Sequence, residues 1–329
     1  MALITRHFYQ RLNQPHTLST TNNQGSDIPI LYEIPKGMSA VALAQDLAKR
    51  HIIDNSFLFR MYLRLTKKDR TIKSGVYYLP KQTSAFDIAK LFTSGKTATL
   101  SVTIPEGLTS WELFGLLKKY YKLDSLVFDS LVHDPKFSMA MGIIAPSLEG
   151  YLFPDTYKLP LQISERDILS LLTRQWHNII SRTDTSNSDV YRRFGMHGLM
   201  TLASIVEGEA ATVDEMQVIA GVFYNRLNIG MPLGADPCIR FALKKMTGSL
   251  YRSELRRNTP YNTRLYKGLP PGPVNSPGQK AIIASLHPAK TEYLFFVAKD
   301  NGTREHYFSR TNREHNEFKK LRQVNQTKK

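Results

Sequence analysis

Apolar positions along this chain alternate between helical stripes and short strand-like runs. Ile34-Pro35-Lys36-Gly37-Met38-Ser39 precedes a helical pattern over Val41 to Lys49, and Ile104-Pro105-Glu106-Gly107-Leu108-Thr109 precedes another over Trp111 to Tyr120. A weaker copy, Leu79-Pro80-Lys81-Gln82-Thr83-Ser84, precedes Phe86 to Phe92. Each reads as a short strand, a Pro-containing turn, a Ser/Thr cap and an amphipathic helix. Ser56 to Leu65 is apolar at Phe57, Leu58, Met61, Tyr62 and Leu65 and predicts a further helix; Gly75 to Leu79 predicts a strand. Residues 28–80 therefore read strand, helix, helix, strand.

From about residue 100 the pattern changes. Helices are expected over Ser125–Val132, Arg166–Ser181, Tyr191–Ala210 and Asp214–Asn228. Turn signals fill Asn228–Asp236 and Asn258–Gly278; the second stretch reads as a stiff, extended loop able to wall a groove. Tyr293–Ala298 and His306–Ser309 read as strands joined by a turn at Asp300-Asn301-Gly302. The Lys/Arg-rich end predicts a solvated helix. The expected fold class is α+β. A flexible segment over 1–27 leads into a small LysM-like βααβ subdomain over 28–100, and a larger mixed α/β catalytic domain follows over 101–329.

One helix carries a candidate for chemistry. In Leu199-Met200-Thr201-Leu202-Ala203-Ser204-Ile205-Val206-Glu207-Gly208-Glu209-Ala210, helical spacing puts Leu199, Leu202, Val206 and Glu209 on one face. Glu207 lies about 200° round the helix from Glu209 at ~100° per residue, so the two carboxylates point apart. A carboxyl group aimed at packed surface has a raised pKa and can hold a proton near neutral pH, as a general acid must. The same pattern also suits a glutamate at a fraying helix end.

Composition narrows the picture. The chain has 329 residues, 42% of them hydrophobic, which fits a folded protein long enough for two domains. A single cysteine, Cys238, excludes an intrachain disulfide framework and reads as a small buried residue. The 44 Lys and Arg against 28 Asp and Glu give a net charge of +16, a surface that attracts polyanions. No known nucleic-acid motif accompanies it. No run approaches the ~18 apolar residues of a spanning helix, and no signal-peptide core is visible. The scattered histidines lack zinc spacing, no Gly-x-Ser-x-Gly elbow is present, and no metal or cofactor is expected.

Polar clusters interleaved with aromatics suit sugar binding. They comprise Glu149 and Tyr151 within Leu148–Tyr157, Asn225-Arg226, Asp236-Pro237, and Tyr261-Asn262-Thr263 ahead of the Pro/Gly tract. Each also fits turn chemistry and core packing.

Leu148–Tyr157, Ala203–Ala210, Asn225-Arg226-Leu227, Asp236-Pro237, Tyr261-Asn262-Thr263, Gly268–Pro273, His287–Thr291 and Tyr293–Val297, in this order, resemble the endolytic murein transglycosylase (YceG-like) family. The likeness covers roughly residues 30 to 320. It implies a catalytic role for Glu209, in agreement with the helix-face argument, and a LysM-like subdomain ahead of the catalytic part. It implies peptidoglycan glycan strands as substrate, cut at the MurNAc-β-1,4-GlcNAc bond with 1,6-anhydro ends, and no cofactor. Glu149, Tyr151, Asn225, Asp236, Tyr261, Asn262 and Thr263 become candidate supporting or sugar-binding residues. Arg226 would serve a structural pair or meet a muramyl carboxylate. A muramidase-type hydrolase and a non-catalytic peptidoglycan-binding protein are the rival expectations. The resemblance further implies an inner-membrane anchor with the catalytic part in the periplasm, cell-wall synthases as partners, and an anionic membrane surface nearby. The chain departs from the family pattern in two ways. Gly208 stands where a lysine is usual, and no anchor is visible in its first residues.

Overall fold

A computed structural model describes residues 10, 12–17, 30–303 and 305–327. The chain forms two compact units: residues 1–102 with 157–163, and residues 103–156 with 164–329. The return of 157–163 to the first unit had no signal in the hydrophobic pattern. Much of the segment expected to be flexible, 1–27, lies outside the described residues. Its described part is folded: Leu12 is buried in the first unit's core, and β1 (His16–Thr17) pairs with β4 (Gln82–Thr83).

In the first unit, β2 (Ile30–Ile34) runs antiparallel to β3 (Gly75–Leu79), with Tyr32 opposite Tyr77. Alternation sends Tyr32, Ile34, Tyr77 and Leu79 to the buried face and leaves Leu31 and Tyr78 exposed. Two helices lie between these strands, α1 (Ala40–Lys49) and α2 (Ser56–Leu65), giving the strand-helix-helix-strand order. Ser39 and Asn55 begin them by accepting from first-turn N–H groups. α3 (Ala85–Ser94) inserts Phe92 against both tyrosine rings, at 5.7 and 4.8 Å between centroids. The chain passes between units through β5 (Thr99–Thr103), paired with β6 (Thr156–Pro160).

The second unit opens with α4 (Ser110–Leu117), started by a Thr109/Glu112 capping box, then α5 (Ser125–Val132), α6 (Pro135–Ala140) and α7 (Glu165–Ile180). Its centre is α8 (Asp189–Glu209), interrupted at Gly195 where φ is 64°. From Gly198 to Val206 every residue of α8 is buried, because α9 (Met216–Asn228), α10 (Asp236–Ala242) and α12 (Gln279–Leu286) all pack on it. The single apolar stripe expected from the sequence is thus replaced by burial all round. Thr201 and Ser204 tolerate it because their hydroxyls donate to the carbonyls of His197 and Thr201.

The Pro/Gly tract is likewise buried, contrary to the expected groove wall. Val274 N–H donates to the Ser204 hydroxyl at 3.0 Å, and the Asn275 amide donates to the Ser204 carbonyl at 2.9 Å. A short α11 (Arg252–Leu255) precedes the tract. The expected hairpin is present: β7 (Phe295–Ala298) pairs with β8 (His306–Ser309), Phe295 facing Ser309. α13 (Asn312–Thr327) packs against both strands.

Candidate active site

Glu209 is the last residue of α8, and the chain turns extended at Ala210. Its carboxylate meets the start of α10, where the Asp236 N–H donates to Oε1 at 2.9 Å. Pro237 in the first turn of α10 costs no hydrogen bond there. Gly208 permits the approach: a Cβ at that position would lie 2.6 Å from Pro237 Cγ. Gly208 is therefore what lets α8 and α10 meet at this point.

Glu209 opens onto a cavity of about 400 Å³ lined also by Phe223, Arg226, Asp236, Arg264 and Phe296, with one side closed by β7, β8 and α13. Its pKa is raised to about 7: burial and then the Asp236 carboxylate push it up, while the Asp236 N–H, Arg264 and Arg226 pull it down. A helix C-terminus adds partial negative charge and opposes ionisation in the same sense. The group can therefore carry a proton near neutral pH.

The Asp236 carboxylate pairs with Arg264. The loop behind this pair is fixed by the residues that follow Tyr261. Thr263 Oγ1 accepts from Ala235 N–H at 3.0 Å, and its carbonyl accepts from Gly234 N–H. Fully buried Asn262 donates to the carbonyls of Leu255 and Arg257 and accepts from Arg264 N–H. Both act as scaffold for Asp236 and Arg264. Arg226 donates to the carbonyls of Leu294 and Leu233 and lies over the Phe295 ring.

The other candidates sit elsewhere. Glu149, 3% exposed, accepts from Ser110 N–H, and burial raises its pKa to about 7. It does not line the Glu209 cavity. Tyr261 packs tilted against Phe241, which packs tilted against Trp111, and burial pushes the Tyr261 phenol up to about 12. Tyr151 is buried, bonded through Oη to His197 Nδ1 at 2.8 Å. Asn225 lines a separate cavity and spends its amide on the carbonyls of Thr291 and Tyr293. Glu207, as expected, has a different partner from Glu209, accepting from Gly278 N–H at the start of α12.

Sequence reasoning missed Arg264, His306, His315, Lys319 and Arg322, all on the cavity wall. The basic C-terminal helix is largely exposed, as expected, and Lys319 and Arg322 also line this cavity. His306 Nδ1 is held at 2.8 Å by Glu215, a pair 10% and 13% exposed that spans ninety-one positions and leaves no local signal. Cys238 is buried with its thiol pushed up to about 12, the state of an inert structural cysteine. Among the described residues no group of His, Cys, Asp and Glu could hold a metal ion.

Fold and site together define a mixed α/β protein whose cavity is built round a protonatable carboxyl group. The chain belongs to the YceG-like family, whose model matches residues 32–321. It is 32% identical over 303 residues to a Bacillus subtilis (strain 168) protein named endolytic murein transglycosylase, covering 87% of this chain and 82% of the relative. It is 30% identical over 297 residues to a Streptococcus pneumoniae (strain D39 / NCTC 7466) protein of the same name, covering 80% of this chain and 53% of the relative. The chain spans about half the length of that pneumococcal protein. A 2.6 Å crystal structure of a YceG-like protein from Listeria monocytogenes matches with a TM-score of 0.60 at 31% identity, covering 89% of this chain and 99% of that one.

Proposed function

We propose that this chain is an endolytic peptidoglycan lytic transglycosylase with Glu209 as its acid and then its base. The observation that carries the reading is Glu209 itself, a carboxyl group with a pKa near 7 at the end of a buried helix, open to a cavity. The relatives' names supply the substrate class.

Protonated Glu209 donates to the glycosidic oxygen as the MurNAc–GlcNAc bond breaks and oxocarbenium character grows at the MurNAc C1. The resulting carboxylate takes the proton of the C6 hydroxyl of the same MurNAc. That oxygen attacks C1 and closes a 1,6-anhydro ring, so no water is consumed and Glu209 ends protonated. One carboxyl group suffices. The second acid on the cavity wall, Asp236, is engaged with Arg264, which favours this route over a hydrolase that needs a free second carboxylate.

The strand-helix-helix-strand order of the first unit supports a LysM-like glycan-holding role. A position at the periplasmic face of the inner membrane and association with cell-wall synthases follow the family and belong to the proposal. Among the described residues no helix is long and apolar enough to cross a membrane.

The test is mass spectrometry of intact glycan strands incubated with the protein and with Glu209→Gln. Internal cuts ending in 1,6-anhydro-MurNAc, lost in the variant, are expected. Reducing ends would make the protein a hydrolase. Strand binding without cleavage would make it a binding protein.

A further inference from the structure

The cavity holds more positive charge than its own acids balance. Asp236 is engaged by Arg264, and Arg322 by Asp300. Arg226 is different: its guanidinium donates to two backbone carbonyls, neutral acceptors that leave its charge uncompensated. Lys319, on the facing helix α13, has no carboxylate in ion-pair contact among the described residues. When Glu209 carries the proton that its chemistry needs, these two cations face the cavity without a counter-ion. A part-buried arginine without one is costly unless an anion comes to it.

His315 registers the same field. It lies stacked on Phe295, with its Nδ1 buried and without a hydrogen-bond partner. Its pKa is lowered by burial and then by Lys319 and Arg226. His306 gives its Nδ1–H to Glu215, so in the neutral ring Nε2 is an acceptor and offers an anion nothing. Arg226 and Lys319 thus flank a space beside Glu209 with cationic donors.

We propose that Arg226 and Lys319 form a carboxylate-binding subsite beside Glu209 that recognises an anionic group carried by the glycan. This deepens the reading above and rests on it. On peptidoglycan such a group has two sources: the carboxylates of the stem peptide, and the lactyl carboxylate of a MurNAc from which the stem has been removed. Either hangs from alternate sugars, so an occupied subsite sets which of the two kinds of glycosidic bond lies against Glu209. It also gives part of the +16 charge a specific use inside the site.

Lys319 is exposed and can be changed without disturbing the core. In a Glu209→Gln background, which blocks cleavage, Lys319→Glu and Lys319→Arg are compared by equilibrium binding to three ligands. These are strands bearing stem peptides, strands stripped by an amidase so that only lactyl carboxylates remain, and chitohexaose, which has neither. The expected result is a roughly fivefold or larger loss for Lys319→Glu on charged strands, the scale of one exposed charge interaction. Lys319→Arg retains binding, chitohexaose is unaffected, and salt erases the difference. Loss on stripped strands alone identifies the lactyl carboxylate; loss on peptide-bearing strands alone identifies the stem, and loss on both identifies a subsite that takes either carboxylate. Equal loss on all three ligands, or none on any, overturns the subsite. If the protein with Glu209 intact cuts strands while these variants bind alike, only the subsite fails. If strands bind in this charge-dependent way and are never cut, the transglycosylase reading fails and the subsite stands.

Discussion

The backbone N–H of Asp236 donates to the carboxyl group of Glu209, and the side chain of the same aspartate opposes ionisation of that group. One residue thus holds Glu209 in place through its main chain and keeps it protonated through its charge. The hydrogen bond and the like-charge repulsion act with opposite sign, and burial decides the balance in favour of the proton.

The pH dependence of cleavage follows. With Glu209 at about 7, the acid form is lost as pH rises through neutrality, so kcat should fall above about pH 7 with a single-proton slope. Arg264→Gln removes a cation that lowers this pKa and should move the falling limb to higher pH. Asp236→Asn removes the repelling charge and should move it to lower pH. Opposite shifts of the two profiles are the expected outcome; parallel shifts would contradict this electrostatic account.

Glu149 predicts a pH dependence of stability. Its folded pKa, about 7, lies above the ordinary glutamate value, so the native state binds the extra proton between roughly pH 4.5 and 7. Stability is therefore fully present below that window and is lost as pH rises through it, by on the order of 3 kcal/mol for this group. Glu149→Gln still offers an oxygen to the Ser110 N–H and should flatten the decline in urea unfolding measured from pH 5 to 8. Glu209 adds a loss of the same sign, so the double variant with Glu209→Gln should be flatter still.

Gly208→Ala should impair the site although alanine is the better helix former by ~1 kcal/mol. Its Cβ would stand 2.6 Å from Pro237 Cγ, and relief requires moving the residue next to Asp236. The expected net cost is about 1–2 kcal/mol of stability, with kcat reduced more than KM is raised. Thermal unfolding and steady-state kinetics on the same preparation check both.

Thr263→Val keeps the shape of a buried side chain and removes the acceptor of the Ala235 N–H. A cost of about 1–3 kcal/mol is expected from the orphaned donor, together with a lower rate because α10 begins one residue later. A variant as stable and as active as the parent would show that Thr263 does not hold the start of α10.

The sequence was most readable where structure is local. Ser56–Leu65, Gly75–Leu79, Ser125–Val132 and His306–Ser309 follow directly from caps and periodicity, and the separate directions of Glu207 and Glu209 follow from helix geometry. Short helices were missed: α10 hides behind an Asp-Pro that reads as a turn, and α12 has only eight residues. The rest of the site depended on distant partners. Tyr151 and Asn225 looked like sugar ligands because their residue types are right, but His197 engages the Tyr151 hydroxyl, and the carbonyls of Thr291 and Tyr293 take the Asn225 amide N–H groups. The place of Lys319 and Arg322 on the cavity wall was not legible, because a basic helix gives no sign of the hairpin beneath it.

The cavity at Glu209 takes its floor from the end of α8 and one side from β7, β8 and α13, which come 86 or more positions later. Such distant pairing carries a loop-closure cost that local helices do not, so the cavity is among the last parts of the protein to assemble. During synthesis Glu209 leaves the ribosome long before that side exists. A chain halted near residue 290 would hold the glutamate on a formed helix but lack β7, β8 and α13. The stretch from β7 through α13 is what gives the acid at the end of α8 its cavity wall, and no finished site exists before that stretch is made.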